Sequence, residues 1–277
     1  MEYLFSPAGR SILELLVQEG ALCAFDFDGT LSPIVEHPDR ASMRARTRNL
    51  LGQLAALYPC IVISGRARAD VIDKLAAVRV ARVIGNHGAE TEAVPRISRQ
   101  NVERWKATLE GQLGSIPGLW MEDKGISLAV HYRQSANKAQ ARSLILAAAR
   151  TLPEVRVFGG KQVVNLVPVS APHKGDALAT ERARIGCKWV LFVGDDQNDE
   201  DAFALSGNVV PVSIGLKQRT HARYYLRAQT EIDDLLDLLV RLRKAAPQHE
   251  PCTWSPSPHA EITALHSEYG DKACDGS

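Results

Sequence analysis

Apolar residues in this chain gather into short unbroken runs, separated by amphipathic stretches and turn residues. The first run is Ala21-Leu22-Cys23-Ala24-Phe25, the second Cys60-Ile61-Val62-Ile63, and the third spans 81–84 and closes on Gly85. Two more lie far downstream, over 188–194 and 209–214. A run without polar alternation suits a strand covered on both faces, as in a parallel sheet. Helical periodicity fills the spaces. Ser6-Pro7 supplies a cap and a first-turn proline for a helix whose apolar positions, Ile12, Leu13, Leu15 and Leu16, stop at Gly20. Further helices are expected over about 44–57 and 68–77. Strand and helix alternate, which predicts a doubly wound α/β sheet.

The middle of the chain changes rhythm. A helix over about 101–113 precedes extended runs at 119–122 and 127–132, and a helix over 137–151 precedes runs at 155–158 and 162–167. Asp123-Lys124-Gly125 and Gly159-Gly160-Lys161 join the runs in pairs, as expected for antiparallel hairpins. Residues 92–168 therefore read as an inserted α+β domain, with 1–91 and 169–245 forming the parallel-sheet core. The remaining stretch, 246–277, holds Pro247, Pro251, Pro256 and Pro258 without periodicity, and disorder is expected there.

Composition narrows the function classes. Of 277 residues, 45% are hydrophobic and 23% charged, and 33 basic against 32 acidic residues leave a net charge of +1. No broad field draws the chain to nucleic acid or to an anionic membrane, so any anion must be held by a few local groups. No apolar run reaches the roughly 18–20 residues of a membrane span. The opening residues lack the pattern of a secretory leader, and a cytoplasmic protein is expected. Five scattered cysteines without a Cys-x-x-Cys pair suggest neither a disulfide framework nor a zinc site, and Cys23 and Cys60 read as small core residues.

The chemistry follows the strands. Functional groups of an open parallel sheet collect at the carboxyl ends of its strands. Asp26 and Asp28 follow the first run, Ser64-Gly65-Arg66 the second, and Asn86-His87-Gly88-Ala89-Glu90 the third. Gly194-Asp195-Asp196-Gln197-Asn198-Asp199 follows the fourth. Alone, an Asp-Gly turn or an acidic loop is unremarkable; four such clusters at successive strand ends are not. Asp26, Asp28, Asp195, Asp196 and Asp199 in one crevice would repel one another unless a cation neutralised them. An all-oxygen ligand set favours magnesium over zinc. A cation among carboxylates also attracts phosphate, which Lys174, Ser64 and the backbone amides after Asp28 could cradle.

Asp-x-Asp-Gly-Thr after a strand, then Ser64, Lys174 and Gly-Asp-Asp-x-x-x-Asp resemble the four motifs of the haloacid dehalogenase superfamily. The resemblance implies a Rossmann-type core, with Asp26 as nucleophile, Asp28 as acid and base, and Ser64 and Lys174 on the phosphoryl oxygens. It also implies Mg2+ held by Asp26, the Asp28 carbonyl and Asp195, with Asp196 and Asp199 in or near the shell. The longer segment from Asp26 to Val35 is similar to the opening motif of trehalose-6-phosphate phosphatases. Ser64-Gly65-Arg66, His87-Gly88-Ala89-Glu90, His131-Tyr132-Arg133 and Lys174-Gly175 extend that likeness. It implies a sugar-phosphate substrate and a mobile cap in which Glu122, Lys124, Arg133 and Lys161 grip the sugar. Phe27, Gly65, Arg66 and His87 are expected beside the bound ester. Asn165 and Val167 stand where that family usually has Glu and Arg, and Asn198 where it has Thr; Asn165 is expected to touch a sugar hydroxyl. Functional coupling to a trehalose-6-phosphate synthase would follow. Two alternatives remain open: a phosphatase of another phosphorylated sugar, and an inactive sugar-phosphate-binding regulatory module.

Overall fold

The five apolar runs all become strands of one sheet. In the computed structural model, which describes residues 1–91 and 96–246 (without the side chains of 96–98), they are β2 (Ala21–Phe25), β3 (Cys60–Ile63), β4 (Arg82–Ile84), β9 (Trp189–Gly194) and β10 (Val209–Ile214). Two short strands without a clear apolar run, β1 (Glu2–Tyr3) and β11 (Tyr224–Leu226), complete the edge. The order is β1-β11-β10-β9-β2-β3-β4, and every pairing is parallel.

Period-two alternation divides each strand between two helical layers. Cys23 and Phe25 face α1 (Pro7–Glu19), α2 (Ala45–Ala55), α3 (Arg68–Leu75) and α8 (Ile232–Ala245). Leu22 and Ala24 face α6 (Lys174–Ile185) and α7 (Glu200–Phe203). Both faces are therefore sealed, which is why these strands carry no polar alternation. The cap read at Ser6 is present: its side chain accepts from the Gly9 amide at 3.1 Å, with Pro7 at the first helical position.

Between β4 and α6 the chain builds a second, antiparallel sheet. Its strands are β5 (Trp120–Asp123), β6 (Leu128–His131), β7 (Val155–Gly160) and β8 (Val163–Pro168), in the order β5-β6-β8-β7. α4 (Arg96–Leu113) and α5 (Lys138–Ala149) cover one face, against Leu128, Val130, Val164 and Leu166. The alternate positions share the other face. Trp120 pairs with His131, which pairs in turn with Val163, and Glu122 pairs with Ala129, which pairs in turn with Asn165.

Several boundaries differ from those expected. Helix α4 begins at Arg96 rather than near Asn101. The second hairpin turn is not Gly159-Gly160-Lys161: Gly160 pairs with Val163, so both glycines belong to β7 and the turn is Lys161-Gln162. Cys23 and Cys60 are buried free thiols on paired strands, as read. The expectation of disorder over 246–277 falls, apart from Ala246, outside the described residues. Among the described residues no helix is long and apolar enough to cross a membrane.

Candidate active site

The order in which the chain adds strands reverses between β2 and β9, parallel neighbours that are distant in sequence. Such a switch point opens a crevice at the carboxyl ends of the strands. Asp26 leaves β2 and Asp195 leaves β9 side by side, and the Asp26 amide donates to the Val193 carbonyl at 2.9 Å. Gly29 permits the close approach of the two loops. Its φ is +83°, and a side chain there would collide with the Asp195 carboxylate.

Asp26, Asp195 and Asp199 converge, with one carboxylate oxygen from each lying within 4.8 Å of the others. Lys174, only 1% exposed, donates to Asp26 Oδ1 at 2.8 Å and to Asp199 Oδ1 at 2.7 Å. The second oxygen of Asp199 accepts the amides of Asp195 and Asp196, at 2.8 and 2.9 Å. Asp199 thus folds the acidic loop into shape. Burial raises the Asp26 pKa well above the carboxylate range; Lys174 opposes this, and Asp199 and Asp195 reinforce it. Burial likewise pushes Asp195 up to about 6, against the pull of Lys161. Burial works against the charge on Lys174, but Asp199 and Asp26 outweigh it and hold the ammonium protonated.

These carboxylates fit a hard divalent cation. They supply only oxygen donors, and burial penalises charges that Lys174 and Lys161 only partly offset. The side chains of Asp28, which is expected to ligate through its backbone carbonyl, and of Asp196 stand apart from these three. The Asp28 carboxylate is taken by Arg66, whose Nε and Nη2 donate to its two oxygens at 2.6 and 2.8 Å. Asp196 instead accepts the Gln197 amide at 2.7 Å, capping the following turn. Neither side chain belongs to the converging group.

A cavity of about 640 Å³ lies above this cluster, within the range of small-molecule sites. Asp26, Asp28, Gly65, Arg66, His87, Asp195 and Asp196 line it from the core, and Glu122, Lys124, Arg133, Lys161 and Asn165 from the second sheet. Lys161 Nζ reaches Asp195 Oδ2 at 2.6 Å. Lys124 Nζ donates to the Gly65 carbonyl at 2.9 Å, and its pKa falls because burial outweighs the attraction of Glu122. Arg133 points at the carbonyls of Val35 and Glu36, at 3.4 and 3.5 Å.

Three expected site residues do not reach the cavity wall. The Phe27 ring is fully buried in the core under Arg66, so only its backbone is left to meet a ligand. Ser64 is fully buried, its hydroxyl accepting the Arg66 amide at 3.2 Å. Lys174 lies beneath the carboxylates it bridges. The amides after Asp28 are also committed: Gly29 donates to Ser32 at 2.7 Å and Thr30 to Phe27 at 3.3 Å, closing the turn. Arg66 pairs with Asp28 and Asp70 rather than with Glu90. Glu90 takes the Arg68 amide and the Asn86 side chain, at 2.7 and 2.6 Å.

His87 adopts φ +60° and is 6% exposed, its ring edge-on to Phe158 of β7 at 4.6 Å. Neither ring nitrogen has a partner in good hydrogen-bonding geometry. Burial holds the imidazole neutral, with Lys124 and Lys174 adding to the effect. Trp120, His131 and Asn86 were not singled out as site residues. The period-two count back from Glu122 reaches Trp120, and back from Arg133 reaches His131; that was the available signal. Both line the cavity. Asn86 ties the two sheets together, accepting from Ser127 and donating to the Lys124 carbonyl.

A model of the trehalose-phosphatase family matches residues 24–227. A trehalose-phosphate phosphatase of Mycobacterium ulcerans is 36% identical over 208 residues, 69% of this chain and 53% of that protein. One from Mycobacterium tuberculosis is 33% identical over 254 residues, 80% of this chain and 62% of that protein. The chain therefore spans about half to three fifths of the length of these curated relatives. Among solved structures, the C-terminal domain of a C. albicans trehalose-6-phosphate phosphatase superposes with a TM-score of 0.72 at 22% identity. That match covers 84% of this chain and 96% of the other, and it establishes the shared fold.

Proposed function

The chain belongs to the trehalose-phosphatase family, and on that premise we propose that it hydrolyses trehalose 6-phosphate to trehalose and phosphate through an aspartyl phosphate on Asp26. The observation that carries this reading is the buried Asp26–Lys174–Asp199 arrangement beside Asp195, opening into a cavity whose far wall is polar. A carboxylate oxygen of Asp26 attacks phosphorus as the ester bond to the sugar breaks. Asp28 delivers a proton to the departing sugar oxygen. It then takes a proton from the water that attacks the aspartyl phosphate, releasing phosphate and restoring Asp26. Arg66 occupies both Asp28 oxygens here, so Asp28 must give up at least one of these bonds to reach the leaving oxygen.

Lys174 keeps the nucleophile oriented and offsets part of its charge. Asp26, Asp195 and Asp199 would hold a divalent cation, which we assign as Mg2+, and this would offset the charge gathered by carboxylates and phosphate. Residues 92–168 act as the cap, with Glu122, Lys124, Arg133, Lys161 and Asn165 meeting the sugar. Such a cap excludes water from the reacting groups. The same reading puts the enzyme in the cytoplasm, downstream of a trehalose-6-phosphate synthase. Phosphate release from a panel of phosphosugars tests the substrate: trehalose 6-phosphate should be favoured over glucose 6-phosphate and over other disaccharide phosphates. Equal rates on all of them would remove the trehalose assignment.

A further inference from the structure

Trp120 opens edge strand β5, lines the cavity and keeps 41% of its surface exposed. Its indole lies flat on the His131 imidazole, with centroids 3.9 Å apart and planes 3° from parallel. One ring face is therefore covered, and the exposure belongs to the opposite face and the edge. His131 is itself fixed, with Nε2 2.9 Å from Glu122 Oε2, and Glu122 lies 3.8 Å from Lys124 Nζ. The orientation of the indole is thus set by contacts that run to two of the residues assigned to the sugar.

Trp120 and Glu122 share a sheet face two residues apart, an advance of about 7 Å. Trp120 thus extends the polar wall along the strand instead of duplicating it. A cross-strand aromatic pair also stabilises a hairpin, but that pairing accounts only for the covered face. A rigid indole left facing a polar cavity suits one chemical partner in particular, a pyranose ring. Such a ring presents its C–H groups on one face and its hydroxyls around the rim, so it stacks on an aromatic surface while polar groups hold its edge.

We propose that the free face of Trp120 is the platform for the second, unphosphorylated ring of a disaccharide phosphate. The inference rests on the phosphosugar reading above and names the residue that separates disaccharide from monosaccharide esters. The test measures kcat and KM on trehalose 6-phosphate, maltose 6'-phosphate and glucose 6-phosphate for the wild type, Trp120→Ala and Trp120→Phe. Trp120→Ala should lose about tenfold in kcat/KM on whichever disaccharide ester the wild type prefers, mainly through KM. Glucose 6-phosphate turnover should be unchanged, and Trp120→Phe should recover most of the loss. A parallel loss on all three esters would make Trp120 a merely structural residue and overturn the platform. So would an unaltered disaccharide-to-monosaccharide ratio, a Phe variant no better than Ala, or a wild type indifferent to the second ring. A wild type that favours maltose 6'-phosphate while Trp120→Ala still loses the ratio ends the trehalose reading and leaves the platform standing.

Discussion

Charge is held in opposite ways on the two sides of the cavity. On the core side, Lys174 bridges two buried carboxylates at 2.8 and 2.7 Å, and every oxygen of Asp199 is engaged. On the cap side, Lys124 rests on the Gly65 carbonyl, Arg133 makes long contacts of 3.4 and 3.5 Å to two more carbonyls, and Lys161 reaches across to Asp195 at 2.6 Å from a half-exposed position. Buried pairs that complete one another cannot lose a member without stranding a charge. Long contacts to carbonyl oxygens are weak and easily exchanged for sugar hydroxyls. The core thus holds one fixed geometry, and under the proposed function the looser contacts of the cap would serve binding and release.

The largest effect expected from this difference is on the core side. Asp26→Asn would remove the proposed nucleophile while its amide oxygen still accepts from Lys174, so turnover should fall by at least about a thousandfold. Circular dichroism should match the wild type; a variant keeping most of the rate would rule out covalent catalysis at Asp26. Lys174→Ala should act on stability as well, because Asp26 and Asp199 would remain buried without their cation. A loss of about 3 kcal/mol is expected, which for a chain of this size lowers Tm by roughly 6–12 °C. A thermal melt in chelator checks this, and a Tm within a degree of wild type would show that the carboxylates do not depend on Lys174.

On the cap side the effects should be smaller and confined to binding. Glu122→Gln leaves the side chain's shape but removes a charge shared with His131 and Lys124. KM for trehalose 6-phosphate should rise about tenfold, with kcat nearly unchanged. A fall in kcat of the same size would mean that Glu122 organises the chemistry and that the two sides are not separable.

The two sides also differed in how far the sequence revealed them. The core strands were legible because each is sealed on both faces, and their apolar runs end directly in Asp26, Ser64 and Asp195. The depth of individual residues was not. Nothing in the spacing tells that Phe27, Ser64 and Lys174 lie below the cavity wall, since that depends on where the turn after Asp28 closes. β1 and β11 were missed because two- and three-residue strands leave no period. In the cap, the alternation predicted strands but not which face meets the core, so Trp120 drew no notice and His131 stood only as part of the His131-Tyr132-Arg133 motif. The partner of the Asp28 carboxylate was equally hidden, because Arg66, which donates to both its oxygens, lies 38 positions away.

The smallest expected effect concerns the residue where the two sides meet. His87 touches Phe158 of the second sheet, and its ring lies where a side chain on Gly65 would have to go. Burial, then Lys124 from the cap and Lys174 from the core, depress its pKa. The unfolded chain takes up a proton near pH 6.5 that the folded chain refuses. The stability linked to His87 is therefore intact above about pH 6.5 and lost below it, by about 1 kcal/mol per pH unit. Asp26 and Asp195 oppose this trend, because their raised values let the folded state bind protons more readily than the unfolded one. The wild-type curve alone therefore mixes both signs, and the comparison with His87→Asn isolates one. Asn tolerates the left-handed backbone at this position. Urea midpoints at pH 7.5, 6.5 and 5.5 should draw the variant's stability toward or above that of the wild type as the pH falls. Parallel curves would mean that His87 accepts a proton in place, and that the cations of cap and core do not jointly exclude it.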